Sequence, residues 1–443
     1  MSDYSAHFVV RGKDVSKSAR DYLSGLLGTE RRKNMERIHG DIPESNYQSI
    51  QQFISDSPWN HNALMEQVAQ DANGLLGGHS RSCLILDETT FIKKGNSSVG
   101  VQRQYSGRLG KTENCQMGVF ACLNLGEKAC VIDFRLFLPE SWVTDVARCQ
   151  KAQVPEDRQE YRSKNQLALE MVKAAKDRGV SFEWVLADAA YGISQEFRRA
   201  VEQLGYRYVM DVISTNRIWD ANPEPKEPQR LGTSGRPSTR LDPTNPKAKK
   251  WKVGEWVAGQ FPKKARELCL RKSSQGELRA RVWVTDVWVW DEGSATVPEK
   301  HKLVAREHDD GEIKISLTNA PEEMSWEELA HMQAQRHWIE RTFQDAKSEL
   351  GMAQYEVRKW RGWHHHMALV SLAMLFVVKE RIEHADSAPL LSARDIVELL
   401  DHYLPRRGGT EQEVYEDLIR RHRQRIQASI SQARTQRKKR RRK

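Results

Sequence analysis

The spacing of apolar residues changes character twice along this chain. Up to about residue 80 they recur at helical spacing in four stretches, Val15–Leu27, Arg31–Ile38, Tyr47–Ser55 and His61–Leu76, separated by Gly, Pro and Asn. This predicts a helical N-terminal domain over residues 1–80. It can serve for packing or for DNA binding, since no helix-turn-helix spacing decides between them.

From Cys83 the period shortens. Cys83–Thr90, Cys115–Leu125 and Ala129–Leu138 read as strands, the last two joined by a tight Gly126-Glu127 hairpin. Helix Asn165–Arg178, strand Phe182–Ala187, helix Ser194–Leu204 and strand Tyr206–Val212 follow. Three meandering strands and then alternating helices and strands is the order of a ribonuclease H-like mixed α/β sheet, whose first part is expected at 81–212. A doubly wound nucleotide fold shares the alternation, but no GxGxxG follows any of these strands.

The second change comes at a Pro-, Gly-, Ser- and Asn-rich loop over 213–245. Beyond it, Trp251–Ala258, Glu267–Lys272, Leu278–Trp290, His301–Glu307 and Glu312–Leu317 read as strands, so 213–320 is expected to be a β-rich insertion. Its tryptophans, Trp251, Trp256, Trp283, Trp288 and Trp290, suit core packing first and base stacking second. Ser325–Leu350 reads as one helix, begun by a Ser325/Glu328 capping box and stopped at Gly351. With about 100° per residue and Arg336 at zero, Glu340 and Lys347 fall at about 40° and 20°, beside an apolar face of Met332, Ile339, Phe343, Ala346 and Leu350. The second part of the core is expected at 321–385. A helical C-terminal region follows at 386–443, with helices near Asp395–Leu404 and after a Thr410/Glu413 capping box.

Charge narrows the picture. The chain of 443 residues carries a net +10, yet Arg420–Lys443 alone holds 12 basic and no acidic residues, and 226–281 holds 15 basic against 5 acidic. The remainder is net acidic, so basicity is confined to a tail and an internal segment, as expected of a protein that meets a polyanion in two places. The six cysteines form no CxxC pair and fit reduced core thiols. No apolar run approaches the ~20 residues of a membrane span, and the start does not read as a signal peptide, so a soluble intracellular protein is expected.

Asp87 ends the run CLIL and Asp188 ends WVLA, each at the C-terminal edge of a buried strand. With Glu340 packed over that edge they form a three-carboxylate oxygen cage suited to hard divalent cations. Arg336 and Lys347 on the same stripe suit phosphate oxygens. Asp345 and Glu349 face away on the wheel, Glu88 points to the opposite side of its strand, Asp211 is a weaker substitute for Asp188, and Asp133 is a possible fourth acid. His364, His365 and His366 cannot share one helix face, which argues against zinc.

The stretches LILDETTFIKKG, QRQYSGRLGKTENCQMGV, WVLADAAYG and RHWIERTFQDAKSELG, together with NYQSIQQFISDSPW, resemble the DDE transposases of bacterial insertion sequences, most closely insertion-sequence family seven-hundred-and-one. The resemblance covers most of residues 20–380. It implies a ribonuclease H-like core interrupted by a β-strand insertion, dependence on Mg²⁺ or Mn²⁺ with two ions per site, and cut-and-paste movement of DNA bounded by terminal inverted repeats. The implied partners are those DNA ends, a target DNA and a second copy of the chain in the DNA complex, in the cytoplasm with the nucleoid. Carried over by position, Asp87, Asp188 and Glu340 are the implied metal triad, and Arg336 and Lys347 handle DNA ends, while Gln333 stands where relatives carry a tyrosine. Trp338 or an insertion tryptophan is the candidate to stabilise a DNA hairpin. Further phosphate contacts are expected from Lys93, Lys94, Arg103 and Lys111, from Lys249 and Lys250, and from Arg437, Lys438, Lys439 and Arg440 in the tail. A DNA-binding protein without chemistry, or a structure-selective nuclease of the same fold, remains the alternative.

Overall fold

A computed structural model describes residues 2–30, 32–226, 241–273, 276–290, 297–308 and 310–406, with a few isolated positions beyond. The Thr410/Glu413 helix start and the tail cations Arg437, Lys438, Lys439 and Arg440 lie outside the described residues.

Four helices open the chain: α1 (Ser16–Leu26), α2 (Met35–Asp41), α3 (Tyr47–Ser55) and α4 (His61–Leu76). The Asn punctuation acts as caps, because Asn34, Asn46 and Asn60 each accept a first-turn amide hydrogen that the helix leaves unpaired. The capped start moves α2 to Met35, later than the Arg31 expected from periodicity.

A twelve-stranded sheet forms the body of the molecule. Its first six strands are β1 (Cys83–Ile92), β2 (Gln102–Ser106), β3 (Lys111–Leu125), β4 (Lys128–Leu136), β5 (Trp184–Ala187) and β6 (Arg207–Asp211). The next six are β7 (Arg217–Trp219), β8 (Lys250–Lys252), β9 (Arg266–Ser273), β10 (Gly276–Val289), β11 (Glu299–Glu307) and β12 (Ile313–Thr318). At its centre β4, β3, β1, β5 and β6 are neighbours in that order, with β1–β3 and β3–β4 antiparallel and β1–β5 and β5–β6 parallel. This is a mixed sheet, consistent with the expected ribonuclease H-like order. Leu84, Ile85 and Leu86 of β1 are completely buried, as expected of a central strand covered on both faces.

The insertion does not stand apart from this sheet. β12 pairs antiparallel with β6, β11 with β12 and β10 with β11, so the sheet continues from the core into the insertion. One expected strand is corrected: of Trp251–Ala258 only Trp251 and Lys252 are extended, as the end of the strand Lys250–Lys252, and Val253–Lys264 is a helix (α7 below). Val253, Trp256, Val257 and Phe261, its buried residues, repeat at three and four, the helical spacing. Trp256 packs 4.9 Å from Trp283 and Trp290 5.9 Å from Trp219, so these tryptophans are core.

The remaining helices of nine or more residues among the described residues are α5 (Lys164–Asp177), α6 (Gln195–Gln203), α7 (Val253–Lys264), α8 (Trp326–Gln335), α9 (His337–Ser348), α10 (Trp360–Glu383) and α11 (Ala393–Asp401). The single helix expected over Ser325–Leu350 is therefore two, interrupted at Arg336. Its Ser325/Glu328 capping box is present, and Gly351 ends the second helix at φ +68°, a left-handed conformation that disfavours other residues. Ile339, Phe343, Ala346 and Leu350 are buried, with Phe343 edge-on to Phe120 of β3 at 5.3 Å. Burying the three large side chains among them stabilises the docked helix by roughly 1.5–3 kcal/mol each. One continuous core runs from Phe8 through the sheet to Val397. No helix among the described residues is long and apolar enough to cross a membrane.

Candidate active site

Strand register builds the site. Leu86 of β1 lies opposite Ala187 of β5, and Ala187 opposite Met210 of β6. The residue after each is an aspartate, so Asp87, Asp188 and Asp211 stand in a row where the parallel pairing of the three strands ends: Asp188 just beyond β5, Asp211 the last residue of β6, and Asp87 midway along β1, which runs on to Ile92. Crevices at such strand ends are where α/β sheets place ligands.

Backbone geometry fixes each carboxylate. Asp87 Oδ1 accepts the Glu88 amide hydrogen at 2.7 Å, and Asp188 Oδ1 accepts that of Ala190 at 2.9 Å, capping the one-turn helix Ala189–Gly192. That turn sits directly on β6: a Cβ on Gly192 would come within 2.0 Å of the Asp211 carbonyl oxygen, so only glycine permits the approach. Ser316 of β12 donates to Asp211 Oδ1 at 2.6 Å.

Helix α9 closes the cleft. Asp87, Glu88, Thr89, Asp188, Arg336, Glu340 and Lys347 line one cavity of about 750 Å³. The structure thus brings together all three expected carboxylates and both expected cations of the stripe. Arg336, 14% exposed, lies between the acids, reaching Asp87 Oδ2 at 3.6 Å, Asp211 Oδ2 at 3.1 Å and Glu340 Oε1 at 2.6 Å. The Lys347 ammonium donates to Thr89 Oγ1.

Electrostatics mark the cleft as short of positive charge. Burial, and then the charge of Asp188, push the Asp87 carboxyl up to about 8, against the lowering effect of Arg336. Burial likewise raises Asp188. For Arg336, burial alone would lower the guanidinium, but Asp211, Glu340, Asp87 and Asp188 outweigh it and raise it further. Among the described residues, no three His, Cys, Asp or Glu side chains are arranged to hold a metal ion. The donor chemistry nevertheless fits a hard divalent cation, because the buried carboxylates of Asp87 and Asp188 and the more exposed one of Glu340 line one cavity, where Asp87 and Glu340 already recruit a cation, Arg336.

Two readings of the acids change. Glu88 does not point away, since it lines the cleft, pairs with Lys164 and accepts the Tyr191 hydroxyl hydrogen at 3.1 Å, so it braces the turn that carries Asp188. Asp211 is not a substitute for Asp188 but its neighbour. Asp133 is taken up by Arg135 and Arg178 away from this cavity. Asp345 pairs with Arg341 at 3.1 Å and Glu349 Oε2 lies 3.8 Å from Arg394, both outside the cleft. Trp338 lines a separate pocket with His331, Gln335 and Arg306.

The other expected phosphate contacts are dispersed. Lys93 is half-buried over the Tyr355 ring at 3.4 Å, Lys94 and Arg103 are exposed, and Lys111 pairs with Glu113 at 3.5 Å. Arg103 lies on the edge strand β2, whereas Lys249 precedes and Lys250 begins β8 at the far end of the sheet. His364, His365 and His366 face different partners, the Trp360 carbonyl, the Ile54 and Trp59 carbonyls, and Tyr22 with the Met352 carbonyl.

Comparison with known proteins bears on this cleft. Residues 9–276, more than half of the chain, match the model of the DDE superfamily endonucleases, a stretch that includes Asp87 and Asp188 and ends before Glu340. A probable transposase for insertion sequence element IS701 from Microchaete diplosiphon is 29% identical over 195 residues, which is 44% of this chain and 48% of that protein. The chain therefore spans about half the length of that curated relative. The NurA nuclease from Sulfolobus solfataricus aligns over 73% of this chain and 92% of its own at 8% identity, with a TM-score of 0.25 that carries no weight for the fold.

Proposed function

The chain belongs to the DDE superfamily endonucleases, and from that premise we propose that it is a DNA transposase that cuts and joins the inverted-repeat ends of an insertion sequence. The observation that carries this reading is that Asp87 and Asp188 line one cleft with Glu340, Arg336 and Lys347, with Asp211 next to Asp188 in the row and tied to the cleft through Arg336. Similarity to a probable insertion-sequence transposase points to mobile DNA ends as the substrate.

In this reading Asp87, Asp188 and Glu340 hold two Mg²⁺ or Mn²⁺ ions. When bound, the ions supply activation of a water or 3′-hydroxyl and neutralisation of the leaving oxygen in an in-line phosphodiester displacement. The chain's own residues do the rest. Thr89 orients the Lys347 ammonium towards the cavity, and Glu88, held by Lys164 and Tyr191, keeps the Asp188 turn against β6. Arg336 and Lys347 take phosphate oxygens. The basic segments at 226–281 and 420–443 hold flanking duplex, and two copies of the chain pair the two ends.

The test is cleavage of the inverted repeats that flank the gene. The full-length protein is expected to cut them at the element boundary with Mg²⁺ and not with chelator, and to leave scrambled ends intact. Equal cutting of scrambled or junction DNA would instead assign a structure-selective nuclease, and metal-independent cutting would exclude the carboxylate mechanism.

A further inference from the structure

We infer that Arg336 is an internal cation that keeps divalent metal out of the acidic cleft until DNA draws it away. The inference rests on the reading of Asp87 and Glu340 as metal ligands.

The guanidinium contacts three carboxylates, and two of them, Asp87 and Glu340, are those ligands. A carboxylate oxygen turned to a guanidinium at 2.6 Å is not available to a metal at the same time. The arginine therefore occupies the electrostatic position of the ion, and the described residues show no preformed cage around it.

Its third partner makes the arrangement reversible. Asp211 is an anionic seat outside the triad, fixed by a polarised chain of hydrogen bonds. Arg306 Nε donates to Gln333 Oε1 at 3.0 Å, Gln333 Nε2 donates to Ser316 Oγ at 2.8 Å, and Ser316 Oγ donates to Asp211 Oδ1 at 2.6 Å. The guanidinium can release Asp87 and Glu340 and keep Asp211 through Nε, at 3.1 Å. A DNA phosphate offers two oxygens in the geometry that a guanidinium pairs with, and replaces the lost contacts. DNA entry and metal entry then favour one another, and by linkage each raises the affinity of the other. The protein alone holds metal weakly, which keeps the cleft from hydrolysing DNA that does not reach Arg336.

The direct test is Mn²⁺ titration of the full chain without DNA, read as loss of the free-ion electron paramagnetic resonance signal. Arg336→Gln is expected to bind Mn²⁺ at least about tenfold more tightly than the wild type, because an adjacent competing charge is gone. Lys347→Gln removes one positive charge from the same cleft and is expected to stay within about threefold of the wild type. Equal affinity of Arg336→Gln and wild type, or an equal gain in Lys347→Gln, would overturn the inference. A measurement independent of the variant's folding is the wild type with and without terminal-end DNA, with Asp188→Asn plus the same DNA as the blank for ions held by phosphates. A gain of at least about tenfold on adding DNA is expected, and no gain would overturn it. Mg²⁺-dependent end cleavage by the same wild-type preparation tests the transposase reading separately: cutting without metal–DNA coupling removes the Arg336 role alone.

Discussion

At the scale of single residues, the most informative position is Gln333, where the family resemblance leads one to expect a tyrosine on the DNA side. Gln333 is 4% exposed and spends both ends of its amide inside, accepting from Arg306 and donating to Ser316 and to the Val304 carbonyl. Replacing it by leucine strands two buried polar groups, so Gln333→Leu is expected to lower stability by about 1–3 kcal/mol. The check is the urea midpoint, and an unchanged midpoint would place Gln333 on the surface instead. Sequence alone could not expose this chain of hydrogen bonds, because it joins residues 306, 316 and 333 to Asp211 across four elements. It could expose Asp87 and Asp188, since each ends an apolar run. Asp211 carries the same signal near the end of Tyr206–Val212, but the strand register that sets it beside Asp188 is not written in one strand.

At the scale of elements, the N-terminal helices are held to α10 through histidines. His366 donates from Nε2 to the Met352 carbonyl and accepts the Tyr22 hydroxyl hydrogen at Nδ1, 2.8 Å away, so its neutral ring is fully satisfied. Burial lowers His366 to about 3, and burial lowers His61, beside His364 and His365, to about 4. These groups stay neutral when folded while the unfolded chain takes up protons below about pH 6.5. Their contribution to stability is thus complete above that pH and is lost as pH falls towards 3. His366→Gln is expected to lose less stability than the wild type between pH 7 and pH 5, by about 2 kcal/mol. Chemical denaturation at the two pH values measures it, and an identical loss would show that His366 does not titrate in this way. Element boundaries were legible where side chains cap: α3 and α4 span the stretches expected of them because Asn46 and Asn60 mark their starts. They failed where two periods compete. Trp251–Ala258 mixes β-forming residues with helical spacing, and burial against the insertion core decided for the helix from Val253 onward. The break at Arg336 is equally hidden, since nothing in the local sequence lowers helix propensity there and its ion pairs with Asp87 and Asp211 arise only in the folded sheet.

At the scale of the whole molecule, the twelve-stranded sheet carries the acidic cleft near its middle and basic side chains towards both ends, Arg103 on β2 and Lys250 on β8. That distribution suits a duplex held at several places while one phosphodiester enters the cleft. The central claim is narrower: Glu340, and not another acid of the same helix pair, completes the site with Asp87 and Asp188. Asp345 lies five residues away on the same helix and pairs with Arg341 outside the cleft. Single-turnover cleavage of labelled inverted-repeat ends in Mg²⁺, comparing Glu340→Gln with Asp345→Asn, separates the two most directly. The expected result is a loss of at least about a hundredfold in rate for Glu340→Gln, corresponding to about 3 kcal/mol or more in the barrier, with end binding retained and Asp345→Asn close to wild type. Near-normal cleavage by Glu340→Gln would contradict the account.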